Sequence, residues 1–133
     1  MVKVFADTSA LFALVNSSEQ NHQTAKTIWN RFITNGSELI TNNYVIVESL
    51  ALIQNRLGLS VTRHFQENIM PLLDIVWFDQ ELHEATIQRL LVANRRQLSL
   101  VDCSSFETMH RLKLETVFTF DEHFREQGFT VIP

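Results

Sequence analysis

Two short apolar runs, each closed by an aspartate, constrain this chain more than any other feature. Val2-Lys3-Val4-Phe5-Ala6 ends at Asp7, and Thr116-Val117-Phe118-Thr119-Phe120 ends at Asp121. Runs this short, mostly apolar and partly β-branched, read as buried strands. Between them, helix-period and strand-like segments alternate. That alternation implies a parallel sheet covered on both faces, a three-layer α/β/α arrangement around four to five strands. Open sheets of this kind take ligands just beyond the carboxyl ends of their strands, where both aspartates fall.

The segments follow in order. A short helix starts after Asp7-Thr8-Ser9. A second runs from about Asn21 to Thr34, with Ala25, Ile28, Trp29, Phe32 and Ile33 on one face and Asn35-Gly36 at its end. Glu38 to Thr41 reads as a strand. Tyr44 to Leu57 reads as a helix so apolar all round that burial is expected. Ser60 is expected to cap a fourth helix that Pro71 stops. Asp74 to Phe78 reads as a strand and Asp79 caps a helix to about Ala93. Ser99 caps another from Leu100 to Leu112. Glu122 to Gln127 is a helical turn, and Phe129 to Ile132 a last strand.

The 133 residues suit a single domain over 1–133. No apolar stretch approaches the length of a membrane span, and no signal peptide is visible. The single cysteine, Cys103, has no partner for an internal disulfide. A cytoplasmic location is expected. The formal net charge of −4 counts against nucleic acid as a partner, since phosphate binders usually carry a basic excess. Acids neutralised by a bound cation would weaken that objection, and Arg56, Arg63, Arg95, Arg96, Arg111 and Lys113 remain to line one face.

Four acids carry the candidate chemistry: Asp7, Glu48, Asp102 and Asp121. Each has a plain structural reading beside the functional one. Asp7 reads as a helix N-cap, Glu48 as half of a buried ion pair with an arginine, Asp102 as the far end of a capping box begun by Ser99, and Asp121 as the cap of a short turn. If the strand–helix alternation is right, however, all four gather at one sheet edge. Crowded carboxylates resist ionisation, and a hard divalent cation such as Mg2+ reverses that cost with oxygen ligands. Such a centre activates water and polarises a phosphodiester. Ser9 and Thr119 are candidates to hydrogen-bond a metal-binding carboxylate. His123, two residues after Asp121, has two readings, a contact with the site and, preferred over it, a packing or surface role. Phosphate-binding glycine loops, zinc spacings among the five histidines and a serine nucleophile elbow are all absent.

At these residues the chain resembles the PIN domain family. Met1-Val2-Lys3-Val4-Phe5-Ala6-Asp7-Thr8-Ser9-Ala10-Leu11 is similar to its opening, and Leu98 to Phe106, around Asp102, to its third-acid motif. Thr119-Phe120-Asp121-Glu122-His123-Phe124, with Gly128-Phe129 following, is similar to its closing motif. Glu48 sits at the expected intermediate position, and the resemblance spans essentially the whole chain. It implies a Mg2+- or Mn2+-dependent nuclease with Asp7, Glu48, Asp102 and Asp121 as its acidic quartet. Small stand-alone members resemble VapC-type toxins, which cleave RNA, are held inactive by an antitoxin encoded beside them, and commonly form homodimers. The stretch Leu50, Ile53, Leu57, Leu59, Phe65 and Ile69 exceeds what one small core requires and is expected to supply such an interface. Two alternatives stay open: a Mg2+-dependent phosphatase on a related α/β fold, and a module that binds RNA or protein without catalysis.

Overall fold

A computed structural model describes residues 2–133. Its strands are β1 (Lys3–Ala6), β2 (Glu38–Asn42), β3 (Asp74–Val76), β4 (Thr116–Phe118) and β5 (Thr130–Ile132). They form one sheet in the order β3-β2-β1-β4-β5 with every pairing parallel. The helices are α1 (Thr8–Val15), α2 (His22–Asn35), α3 (Asn43–Leu57), α4 (Leu59–His64), α5 (Gln80–Ala93), α6 (Leu100–Arg111) and the short α7 (His123–Glu126). From β1 the chain steps through β2 to β3 in one direction, then returns to β4 and β5 on the other side. Right-handed crossovers running in opposite directions put their helices on opposite faces. The reversal falls between β1 and β4, and a crevice opens there at the carboxyl ends of the strands.

The central strands are buried as their apolar runs require. Val4, Phe5, Val117 and Phe118 are fully inaccessible and join Leu11, Ile53, Phe65, Phe106, Met109 and Phe124 in one core. The expected strands at 116–120 and 74–78 are longer than the observed ladders. Past Phe118, the Phe120 N–H donates to Ser9 Oγ and the Asp121 N–H to Thr119 Oγ1, each at 3.0 Å. Past Val76, the Phe78 N–H donates to Asn43 Oδ1 at 2.7 Å. Hydroxyls and an amide thus take over the donors that a neighbouring strand would otherwise receive.

Four expectations along α3, α4 and the turns after them need correction. The α3 helix is not buried all round: Val45, Ile46, Ser49 and Ile53 face the core, while Val47 is 64% exposed. Ser60 does not cap α4. Gly58, at φ 86°, ends α3 and starts α4, so Ser60 lies inside the helix. Nor does Pro71 halt the segment. The chain passes through a π-helical turn, Phe65–Ile69, into a 3-10 turn, Met70–Leu72, and Pro71 sits in that turn's opening positions, where its missing N–H costs nothing. Finally, Ile53, Phe65 and Ile69 are core residues, so they offer nothing to an interface; of the six named, Leu59 is the exposed one, at 67%. No helix among the described residues is long and apolar enough to cross a membrane.

Candidate active site

Asp7 follows β1 directly and N-caps α1, while Thr119 and Asp121 follow β4, the strand paired with β1. Neighbouring parallel strands therefore deliver both aspartates to the same crevice. Asp7 is 4% exposed. Its Oδ2 accepts from Ser9 Oγ and Thr119 Oγ1, each at 2.8 Å, and from the Ser9 N–H at 3.4 Å. Among the described residues none donates to its Oδ1, so one oxygen is anchored and the other is left for a ligand. Burial pushes the Asp7 carboxyl up to about 6; the Thr119 and Ser9 hydroxyls pull against that, and the charges of Asp102 and Asp121 add to it.

Asp102 lies in the first turn of α6. The capping box foreseen for it is present: Ser99 Oγ accepts from the Asp102 N–H at 2.9 Å, and Asp102 Oδ2 accepts from the Ser99 N–H at 3.1 Å. The cap and the cluster are not alternatives here, because the capped carboxylate is mostly buried and also lies beside Asp121 and His123. Asp121 accepts from the His123 N–H at 2.9 Å and so steadies the turn into α7. One oxygen each from Asp102 and Asp121, together with a ring nitrogen of His123, lie within 4.8 Å of one another. His123 Nδ1 is 3.2 Å from Asp121 and 3.8 Å from Asp102, buried and without a hydrogen bond among the described residues. His123 thus belongs to the cluster, contrary to the packing or surface role preferred for it. Its proximity was legible in one signal, the i+2 spacing from Asp121.

Glu48 enters from the second turn of α3. Burial pushes its carboxyl up, the Thr8 hydroxyl offsets part of that, and the Asp7 charge adds to it. Asp102 is likewise raised, first by burial and then by Asp121, with Ser99 and His123 acting in the other direction. All four acids are therefore close enough to feel one another through at least one partner. No lysine or arginine among the described residues forms an ion pair with any of them, including the arginine expected for Glu48. The partial compensation comes from Thr119 and Ser9 at Asp7, Thr8 at Glu48, and Ser99 and His123 at Asp102, with the N-termini of α1 and α6 adding partial positive charge.

Asn42 was not singled out from the sequence. It is fully buried, caps α3 by accepting from the Val45 N–H, and donates to Ser104 Oγ and Thr108 Oγ1 on α6. This bracket holds the helix that carries Glu48 against the helix that carries Asp102. An asparagine at a strand–helix junction reads from sequence as an ordinary cap, so only the long-range contact reveals it.

Carboxylate oxygens with one imidazole nitrogen beside them, the Asp7, Glu48 and Asp102 carboxyls raised and no lysine or arginine paired with them among the described residues, fit a divalent cation. Comparison with known proteins agrees with this chemistry. The PIN domain family model matches residues 4–129. The chain is 26% identical over 130 residues to the 23S rRNA-specific endonuclease VapC20 of Mycobacterium tuberculosis, covering 97% of each protein. The crystal structure of that VapC20, described as a Sarcin-Ricin loop cleaving toxin, superimposes with a TM-score of 0.84 over 96% of each chain. The fold is shared with the toxin–antitoxin complex from Klebsiella pneumoniae, at 17% identity, a TM-score of 0.66 and coverage of 98% of this chain and 96% of that one.

Proposed function

The chain belongs to the PIN domain family, and from that premise we propose that it is a divalent-metal-dependent endoribonuclease and the toxin of a toxin–antitoxin pair. The observation that supports this reading is the Asp102–Asp121–His123 cluster, with Asp7 near enough to feel both aspartates and Glu48 near enough to feel Asp7, none of the four acids paired with arginine or lysine among the described residues. Asp7, Glu48, Asp102 and Asp121 would hold the cation, with Mg2+ the expected ion and Mn2+ an acceptable one. Such a cation supplies Lewis-acid polarisation of the phosphodiester and charge to offset the leaving oxygen.

The remaining chemistry falls to the chain's own groups. Ser9 and Thr119 fix Asp7 through one oxygen and so present the other. Glu48 and Asp102 are partly buried with raised pKa values, which suits a carboxylate that orients water and accepts its proton. The N-terminus of α6 favours anions at the crevice. Arg95 and Arg111 are committed to ion pairs with Glu126 and Glu107, so RNA affinity rests on other basic residues, such as Arg56, Arg63 and Arg96, and on shape.

The likeness to VapC20 supports ribosomal RNA as the first substrate to test, in a cytoplasmic setting. An antitoxin and a second copy of the chain are the partners this reading carries. Val47 and Leu59 give α3 and α4 an exposed apolar surface, and a groove of about 530 Å3 lies between Leu50, Gln54, Leu59 and Arg63. The phosphatase alternative loses ground, since Ser9 stands where such enzymes need a second aspartate and its hydroxyl is engaged with Asp7.

The test is cleavage of 23S rRNA and defined RNA oligomers with and without Mg2+ or Mn2+. The wild type is expected to cut only with the ion, and Asp7→Asn and Asp102→Asn not at all. Full cleavage by either variant would reject the assigned acids, and no cleavage by the wild type with either ion would reject the enzyme.

A further inference from the structure

Immediately outside the acid cluster lies a groove of about 330 Å3 bounded by Asn43, Tyr44, Val47, Glu48 and Val101. It is continuous with the cluster on both sides, since Glu48 is one of the four acids and Val101 directly precedes Asp102. Tyr44 and Glu48 stand one turn apart on α3, and residues at that spacing share a helix face. The Tyr44 ring is held in place. Its centroid is 4.8 Å from that of Phe78, and its hydroxyl is hydrogen-bonded to His83 Nδ1. Asn43 is held too, by the Phe78 N–H that donates to its Oδ1. That bond fixes which end of the amide is oxygen, so the NH2 end remains a donor, and it meets no acceptor among the described residues.

Among the described residues no cation lines the groove, and Glu48 gives it negative charge, so a phosphate is a poor occupant. A flat group with apolar faces and a polar edge suits it. We propose that the groove is a nucleobase subsite, in which the base of a nucleotide flanking the scissile phosphate packs on the Tyr44 ring, with Val47 and Val101 completing the apolar wall. Single-stranded and looped RNA is commonly recognised by unstacked bases laid on aromatic side chains. Tyr44 lies about 6 Å from Glu48 along the α3 axis, so the base beside a phosphodiester held at the cluster would be within its reach. The subsite deepens the ribonuclease reading and rests on it.

A double-substitution cycle tests it. Defined RNA oligomers are cut by the wild type, Tyr44→Phe and Tyr44→Leu, with each nucleotide flanking the cut replaced in turn by an abasic one. One abasic position is expected to raise the wild-type KM on the order of tenfold, the scale of stacking one base on an aromatic ring, with kcat little changed. Tyr44→Leu should raise KM for intact RNA by a similar factor and have no further effect on that abasic RNA. Tyr44→Phe, which keeps the ring and loses the His83 bond, should stay within about twofold of wild type. If Tyr44→Leu weakens intact and abasic RNA equally, or if no flanking abasic position matters, the subsite is overturned while the nuclease stands. No cleavage by the wild type overturns both.

Discussion

One helix carries carboxylates in two opposite settings. At the start of α6, Asp102 has no arginine or lysine partner among the described residues, and burial with the nearby Asp121 charge raises its pKa. Five residues on, Glu107 receives Arg89 at 2.8 Å and Arg111 at 2.9 Å. Burial pushes Glu107 up as well, but the Arg111 and Arg89 hydrogen bonds and charges outweigh it, and its pKa is lowered. Where a carboxylate serves the fold, this chain supplies guanidinium forks that match it. In the crevice, among the described residues, it supplies none to the four carboxylates and leaves the repulsion of Asp7 with Asp102, Asp121 and Glu48 in place. Function-bearing sites commonly retain such local cost.

The sharpest way to break this comparison is to neutralise one acid from each setting and assay RNA cleavage. Asp7→Asn and Asp102→Asn are expected to lower the rate by at least about 100-fold, the scale of losing a group that acts on the transition state. Glu107→Gln should stay within about twofold. If Glu107→Gln were as inactive as Asp102→Asn, the two settings would not differ in kind.

The second effect is on stability, and its sign is opposite for a crevice acid, Asp7, and for the paired Glu107. Asp7 has a folded pKa of about 6 against an ordinary value of 3.8. The folded protein therefore keeps this proton longer than the unfolded chain. The stability that goes with it is complete below about pH 4 and is lost as pH rises through about 6. Without divalent ions, Asp7→Asn should be more stable than wild type at pH 7, by up to about 3 kcal/mol, and the gain should vanish near pH 4. Urea titrations at the two pH values measure it. Glu107→Gln should instead be less stable, by about 2 kcal/mol, because two guanidinium groups lose a charged acceptor. A smaller effect is expected for Thr119→Val. Removing its hydroxyl costs about 1 kcal/mol and shifts the Asp7 titration upward, since that hydroxyl is the strongest influence holding it down; the Asp7 carboxyl resonance followed against pH by NMR reads the shift.

The sequence made the floor of the crevice legible because its logic is periodic. Two apolar runs ending in aspartate imply neighbouring parallel strands, and β1 and β4 are neighbours. Asp102 was legible for a related reason: capping boxes and site-facing helix N-termini have the same local grammar. What stayed hidden depends on contacts between distant segments. The Asn42 bracket to Ser104 and Thr108 leaves no periodic trace. For His123 the i+2 spacing from Asp121 gave the neighbourhood, and only the folded turn shows its Nδ1 beside Asp102 as well. The α3 face that carries Val47 reads as core by composition, and only the packing of the neighbouring elements shows that nothing covers it. The strand ends were overcalled because Ser9, Thr119 and Asn43 intercept backbone donors, which no propensity records.

The claim beneath the rest is that a divalent cation compensates the four acids. Calorimetric titration of the metal-free protein with Mg2+ and with Mn2+ at pH 6, repeated in two buffers of different ionisation enthalpy, tests it most directly. Saturable binding with release of protons is predicted, because a carboxyl half protonated near that pH must lose its proton to become a ligand. Asp102→Asn should bind at least about tenfold more weakly, with Glu107→Gln unchanged. Absence of saturable binding by the wild type, or equal binding by Asp102→Asn, would contradict it.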